Sequence, residues 1–430
     1  RGEVPSHWKV ESLRAVAELY VEKNQPTLPV LSVYREYGVI LKDSRDDNHN
    51  ATSLDTSSYK VVRPGDLAVN KMKAWQGSLG VSEHHGIVSP AYITCHLNKE
   101  KVNGQYIHYL LRSKPLVGAM DSISYGVRVG QWDMRFEDFK KVGITLPQKP
   151  EQDRIVDFLD RKTTEIDALI AKKERQIQLL DEQKAIRINQ AVTRGLNPDL
   201  SAEASAKEGV KLKPSGVEWI GDIPEHWEVL KLRRLLINIE QGNSPTAVQD
   251  NGEIDQWKVI TLSAVSKGVF KYNAFKPISS NTANKSANTL AAGDLLLTRA
   301  NTRSLVGDTC IVRDVLIHTT FSDLVYRFTP NKRASKSYLL YYLLSKAARA
   351  QIERDARGSN ETMCKVSHGH IKEWDITLPP DTEQAQIVDH LTNYQREYET
   401  TLGAFQKQIQ SLNTLRSTLI AHAVTGKIKV

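Results

Sequence analysis

The sequence predicts a mixed α/β (α+β) protein with a pseudo-twofold internal repeat: two similar globular domains separated by two long helices paired antiparallel as a coiled coil. Three observations carry this expectation. The chain has 430 residues, more than one ordinary hydrophobic core organises. An ordered series of short motifs occurs twice. Each series ends in a long run that is almost free of Pro and Gly and carries apolar residues at helical spacing.

The repeat is read from its anchors. Val4-Pro5-Ser6-His7-Trp8-Lys9-Val10 returns as Ile223-Pro224-Glu225-His226-Trp227-Glu228-Val229, and Gly65-Asp66-Leu67 returns as Gly293-Asp294-Leu295. Ile144-Thr145-Leu146-Pro147 returns as Ile376-Thr377-Leu378-Pro379, Glu151-Gln152 with Ile155-Val156 as Glu383-Gln384 with Ile387-Val388, and Ala191-Val192-Thr193 as Ala423-Val424-Thr425. Between the anchors the halves part company: Asn70-Lys71-Met72-Lys73-Ala74-Trp75-Gln76 faces Thr298-Arg299-Ala300-Asn301-Thr302-Arg303-Ser304. A shared frame with a private interior suits two modules that bind two different things, although an old duplication that has drifted leaves the same trace. The expected organisation is a first domain over 1–146, a first long helix over 147–196, a linker over 197–216, a second domain over 217–378 and a second long helix over 379–430.

Within the globular parts, Asp66 to Asn70, Ile93 to Leu97, Lys258 to Leu262, Asp294 to Thr298 and Cys310 to Arg313 are short, β-branched or alternating, and read as strands. Tyr106 to Arg112 and Ser337 to Ala350 carry apolar residues at spacings of three and four and read as helices.

The long helices follow. Ile155, Leu159, Ile166, Ile170, Ile177, Leu180, Ile188 and Ala191 form one stripe, interrupted by lysines. Ile387, Leu391, Tyr394, Tyr398, Leu402, Phe405, Ile409, Leu412, Leu415, Leu419 and Ala423 form the other. Asp381 with Gln384 resembles a helix start, and Gly195 before Pro198 a stop. A helix from Glu151 to Arg194 reaches about 65 Å, more than a globular domain uses. Its stripe stays wet unless the two helices pair, and an antiparallel pair sets the domains at opposite ends whereas a parallel one sets them side by side.

Composition narrows the function. With 40% hydrophobic and 25% charged residues the chain is neither disordered nor collagenous. Its net charge of +8 permits a polyanionic partner without establishing one, and because the two helix runs together are slightly acidic, the basic excess lies in the rest of the chain. Cys95, Cys310 and Cys364 are isolated, which leaves no disulfide framework and points to a reducing compartment. No run approaches the roughly 18 apolar residues of a membrane span, and Arg1 to Trp8 has no apolar stretch of the signal-peptide kind, so a cytoplasmic protein without membrane contact is expected. The opening Arg1-Gly2, without Met, reads as a trimmed start.

No catalytic constellation is legible. The phosphate loop fails because Ala421 stands where its first Gly belongs before Gly426-Lys427, and Gly126 and Gly130 are four apart, unlike a dinucleotide loop. No GxSxG elbow occurs, and Pro379-Pro380-Asp381 is not the strand end of an adenine methyltransferase. His84-His85 with Cys95 and His96, and Cys364 with His368 and His370, lack a clean tetrahedral zinc spacing, so no metal site is expected. Pro64-Gly65-Asp66 to Lys71 fits a nuclease pattern only as loosely as chance supplies one.

Taken together, the paired Pro-x-His-Trp openings, Gly65-Asp66-Leu67 with Asn70 to Gly77, Gly293 to Asn301, and Leu-Pro followed by Glu-Gln and a long helix, twice, resemble the specificity subunit of type I restriction-modification enzymes. The resemblance spans nearly the whole chain. It implies two target-recognition domains that read the halves of a split, asymmetric site on double-stranded DNA. The helices between them act as a ruler and dock two modification (adenine methyltransferase) subunits. Restriction subunits add translocation and cleavage. The chain itself is then non-catalytic and cofactor-free, with S-adenosylmethionine, ATP and Mg expected on the partner subunits.

Base edges call for Arg, Lys, Asn and Gln, phosphates for Lys, Arg and hydroxyls. The expected DNA-contacting residues are Lys71, Lys73, Gln76, Arg128, Gln131 and Arg135 in the first domain, with Trp75 packing beneath, and Arg299, Asn301, Arg303, Ser359, Asn360 and Lys365 in the second. Trp8 and Trp227 are expected in the core. The helix pair is expected to be packed by Ile155, Leu159, Ile166, Ile170, Ile177 and Leu180 against Ile387, Leu391, Tyr398, Leu402, Phe405, Ile409, Leu412 and Leu419.

Overall fold

A computed structural model describes residues 4–45, 52–128, 131–196, 211–243, 247–248, 256–279, 289–314, 317–358 and 363–430. It divides into two compact units, one of Arg1–Glu174 with Phe405–Val430 and one of Arg175–Ala404. Both boundaries fall inside the long helices, so each unit holds one globular domain, the beginning of the helix that leaves it and the end of the other helix.

The first unit runs β1 (Lys9–Ser12), β2 (Ala17–Leu19), β3 (Leu31–Tyr34), β4 (Gly38–Leu41), β5 (Lys60–Val62), β6 (Leu67–Asn70), β7 (Leu79–Val81), β8 (Gly86–Val88) and β9 (Tyr92–Leu97). Helices α1 (Gly104–Arg112) and α2 (Lys114–Ser122), the hairpin β10 (Ser124–Arg128) and β11 (Gln131–Met134), the short α3 (Phe136–Phe139) and β12 (Gly143–Leu146) follow, and α4 (Lys149–Arg194) leaves the domain. The main sheet has the order β2-β9-β6-β7 and is antiparallel throughout. Strand β1 pairs with β12, Lys9 opposite Leu146, which brings the chain's entry beside its exit into α4.

The second unit repeats this plan: β13 (Leu212–Pro214), β14 (Asp222–Pro224), β15 (Glu228–Lys231), β16 (Leu236–Gln241), β17 (Lys258–Ile260), β18 (Val265–Ser266), β19 (Val269–Phe270), β20 (Phe275–Pro277), β21 (Leu295–Thr298), β22 (Ala300–Asn301), β23 (Thr309–Ile311), β24 (Thr319–Phe321) and β25 (Val325–Pro330). Then come α5 (Lys336–Leu343), α6 (Lys346–Asp355), β26 (Cys364–Lys365), α7 (His368–Lys372), β27 (Asp375–Leu378) and α8 (Asp381–Val424). The sheet β16-β25-β21-β23 matches the first domain's order, and β15 pairs with β27, Glu228 opposite Leu378. Three further strands form the sheet β20-β17-β24, with β17 and β24 parallel, where the first domain has the pair β5-β8.

The same local chemistry starts the central strand in both domains. Gly65 and Gly293 turn at positive φ (92° and 87°), a conformation L side chains rarely adopt. The following Asp66 and Asp294 then accept hydrogen bonds from the amides of Arg63 (2.7 Å) and Ala291 (2.9 Å), which closes the turn. On α1, Asn103 caps the amides of Gln105 and Tyr106, and Tyr106, Ile107, Leu110 and Leu111 are buried on its inner face. Each such side chain taken fully out of water contributes about 1.5–3 kcal/mol.

Three sequence expectations need correction. The helix read over Ser337 to Ala350 is two helices, because Ser345 leaves helical geometry and its hydroxyl caps the amide of Ala348. The strand read over Lys258 to Leu262 ends at Ile260, and Leu262–Ala264 is a 3-10 turn. Inside the segment read as linker, Leu212–Pro214 forms β13 against β14; a ladder built from backbone groups needs no apolar run, so composition hid it. Residues 197–210 of that segment lie outside the described residues.

Candidate nucleic-acid interface

The repeated motifs meet in space. In the first unit Trp8 Nε1 donates to Glu151 at 3.1 Å, and His7 lies 3.2 Å from the same carboxylate. In the second, Trp227 Nε1 donates to Glu383 at 2.8 Å and His226 lies 2.6 Å from it. Beside them Gln152 is fully buried: its amide donates to the carbonyls of Pro147 and Lys101 and accepts from the amide of Asn103. Gln384 does the same with Pro379, Arg333 and Ser335. The Pro-x-His-Trp opening and the Glu-Gln pair are therefore two sides of one clamp that seats the first turn of each long helix on its domain.

The far end of each helix is held as well. The last carbonyls of a helix have no intrahelical partner. In the first unit Tyr106 and Thr145 hydroxyls donate to the Val424 carbonyl at 3.3 and 2.8 Å. In the second, Tyr338 donates to the Val192 carbonyl at 3.4 Å and the Thr377 hydroxyl donates to it too. The Ile-Thr-Leu-Pro strand thus receives the Ala-Val-Thr helix end, which accounts for both being repeated.

Within each unit the two helix segments run antiparallel. In the first, Asp167 pairs with Arg416 and Lys173 stands 4.8 Å over the Phe405 ring. In the second, Asp181 and Lys184 meet Tyr398, and Arg187 stands 4.7 Å over Tyr394. Ile166 is buried, while Ile170, Ile177, Leu180, Tyr398, Leu402, Phe405, Ile409, Leu412 and Leu419 are half-buried. Ile155 and Leu159 lie in the first domain's core cluster, together with Ala423 and Val424, and Ile387 and Leu391 in the second's, together with Ile188 and Val192. These four therefore serve the domain cores as well as the helix pair, because the clamps draw the first turns into the domains. Leu415, read as part of the stripe, is 52% exposed.

In the first interior Lys71 meets Asp133 at 3.4 Å, and the amide of Met134 donates to the Lys71 carbonyl at 3.0 Å. Trp75 is half-buried, donates to the Met72 carbonyl and packs on Trp132 with ring centres 4.8 Å apart. Lys73 and Gln76 line a separate cleft between β3 and the 3-10 turn Ala74–Gln76. Arg128 and Gln131 are paired in the backbone register of the β10–β11 hairpin, and Arg135 is exposed just beyond it. The six predicted polar residues thus divide between the hairpin side and the cleft.

In the second interior the amide of Val366 donates to the Arg299 carbonyl at 2.9 Å, the counterpart of the bond to Lys71. Strands β22 and β26 place Ala300 opposite Lys365 and Asn301 opposite Cys364, so Arg299, Asn301 and Lys365 are brought together. Arg303 is exposed and donates to the Glu353 carbonyl at 3.4 Å. Ser359 and Asn360 lie outside the described residues. Around Arg299 stand Tyr326 and His368, whose rings are 4.5 Å apart; burial, then Lys372 and Arg299, lower the His368 pKa. Sequence reading passed over Trp132, Asp133 and Tyr326, and weighed His368 only as a metal ligand. The polar and aromatic run Gln131-Trp132-Asp133 carried a signal for the first two, whereas Tyr326 sits in an ordinary strand pattern.

Two of the histidines considered as metal ligands, His96 and His368, pack on tyrosines. His96 stacks on Tyr20 at 3.6 Å and bonds Asp66 at 2.7 Å, and burial pushes the Cys95 thiol up to about 12. Among the described residues no group of three or more His, Cys, Asp or Glu is gathered as for a metal, and no helix is long and apolar enough to cross a membrane.

Two matched mixed α/β domains, each clamping one long helix and receiving the end of another, with unlike polar interiors, define a paired recognition module. The sequence matches the family described as Type I restriction modification DNA specificity domain over residues 5–179 and 224–409, and the chain belongs to that family. It is a non-catalytic specificity subunit of type I restriction-modification that recognises DNA sequence. It is 22% identical over 442 residues to the type I restriction enzyme MjaVIII specificity subunit of Methanocaldococcus jannaschii, covering 99% of this chain and 94% of that one. It is also 22% identical over 374 residues to the EcoKI specificity subunit of Escherichia coli K12, covering 85% and 75%. Its fold resembles a chain solved in a study of complex assembly and conformational transition of the type I R-M system, with a TM-score of 0.64 at 16% identity over 100% of both chains.

Proposed function

We propose that the chain reads a split, asymmetric DNA site, each domain taking one half, and positions two adenine methyltransferase (modification) subunits and the restriction subunits upon it. One observation supports this above the rest: the clamp and helix-end bonds repeat one for one, while the equivalent positions Lys71 and Arg299 stand in different surroundings. Two frames that hold unlike readers suit two unlike half-sites. The long helices serve as the ruler between them, as dimer geometry sets half-site spacing in other DNA readers. An enzyme acting on adenine must swing it out of the stack, and a rigid reader supplies the alignment that step requires. In this reading S-adenosylmethionine, ATP and Mg belong to the partner subunits, and the complex works in the cytoplasm.

Domain exchange tests the proposal. Replacing residues 1–146 by the corresponding domain of a relative, then mapping methylated adenines genome-wide in a host carrying the complex, is expected to change one half of the recognised sequence and leave the other intact. A change in both halves, or in neither, refutes modular reading.

A further inference from the structure

The first domain carries a cleft of about 350 Å³ that the repeat does not explain. Its walls are the end of β3 and the turn after it, with Ser32, Tyr34 and Arg35, and the end of β6 with the following 3-10 turn, with Asn70, Lys73 and Gln76. The first wall is built to hold its shape. The guanidinium of Arg112, on α1, donates to the carbonyls of Tyr34 (3.3 Å), Arg35 (2.6 Å), Glu36 (2.9 Å) and Leu79 (3.0 Å). Gly38 then turns at a φ of 72° so close to α1 that a Cβ there would lie 2.8 Å from the His108 ring. Four carbonyls gathered on one half-buried guanidinium fix the shape of this turn.

The other wall presents free donors. Lys73 is exposed and Gln76 half-buried, and neither side chain bonds another described residue, whereas Lys71 two positions earlier is neutralised by Asp133. Small-molecule pockets are lined mainly by apolar groups. Here the lining is mainly hydroxyls, amides and cations, the residue types that touch phosphate and sugar in protein–DNA complexes; Val33 and the Glu36 carboxylate, 3.9 Å from Arg35, also line it.

We infer that this cleft seats the sugar–phosphate backbone of the first half-site, with Lys73 and Gln76 as positioning contacts that carry no base preference. The inference rests on the function proposed above and refines it: in the first domain this cleft positions the DNA backbone, and base reading falls to other residues of the domain.

The test uses the full chain assembled with its modification subunits and three duplexes: the mapped site, one with the first half scrambled and one with the second half scrambled. Binding is measured between 50 and 200 mM salt for the wild type, Lys73→Gln and Gln76→Ala. Loss of one phosphate contact lowers the salt slope by about 0.9, so the wild-type advantage over Lys73→Gln should shrink by about 3.5-fold across that range. Gln76→Ala should weaken binding without altering which bases are preferred. Thermal unfolding should be unchanged, since neither side chain bonds another described residue. Unaltered affinity and slope in Lys73→Gln, or altered base preference in either variant, overturns the inference while leaving bipartite recognition standing. A wild type that fails to discriminate against both scrambled duplexes overturns the two together.

Discussion

His108 shows how much one side chain settles in this fold. It stands on α1 beneath the Tyr34–Glu36 turn; its Nδ1 accepts from the amide of Val81 at 3.3 Å, and Gly38 and Gly80 leave room for the ring. Burial, aided by the Arg112 cation, pushes its pKa down to about 4, so the ring is neutral in the folded protein. The ordinary value is about 6.5. The unfolded chain therefore binds a proton between these values that the folded one refuses, and stability is complete above about pH 6.5 and declines as pH falls toward 4. Between pH 7.5 and 5 the loss is expected to be about 2 kcal/mol. Urea denaturation of the wild type and of His108→Gln at both pH values checks this, because the difference between them isolates the ring's share. No feature of the linear sequence distinguished His108 from the eleven other histidines, since its environment is assembled from three separate strands and turns.

Among the elements, the long helices hold the clearest lesson. Their apolar stripes were visible in the sequence, and the lysines appeared there as flaws. Within the units Lys173, Lys184 and Arg187 instead stand over Phe405, Tyr398 and Tyr394, so pairs of a cation in one helix and an aromatic ring in the other join the apolar stripe along the seam. Helix ends behave similarly. The repeated Thr of Ile-Thr-Leu-Pro reads as an ordinary strand residue, yet it supplies a hydroxyl to a helix that ends elsewhere in the chain. Thr377→Val keeps the shape and removes the donor to Val192, leaving that carbonyl one contact at 3.4 Å with Tyr338. A loss of about 1–2 kcal/mol is expected. Hydrogen exchange should rise in the last turn of α4 and not in the last turn of α8; equal protection in both ends argues against the cap.

For the molecule as a whole, two long helices belong to both units, each passing from one to the other without a break. On the proposed reading their length sets the distance between half-sites. One added turn in each, placed after Glu174 and after Ala404, adds about 5.4 Å. Against about 3.4 Å per base pair, the mapped spacer should grow by one or two base pairs. An unchanged spacer counts against the ruler.

What the linear chain disclosed was repetition: two frames, two helices and the ordered anchors, because hydrophobic period and motif order survive in one dimension. It also exposed where the halves differ, and so where to look for DNA contacts. It did not reveal why the anchors are paired. That Trp8 meets Glu151, that Gln384 spans Ser335 and Arg333, or that Thr145 receives Val424 depends on residues far apart in sequence meeting through packing. Nor could it separate Lys71, held by Asp133, from Lys73 two residues away, which bonds no other described residue. Which polar side chain stays free to bind is decided by its neighbours in space, and those are chosen only when the chain closes on itself.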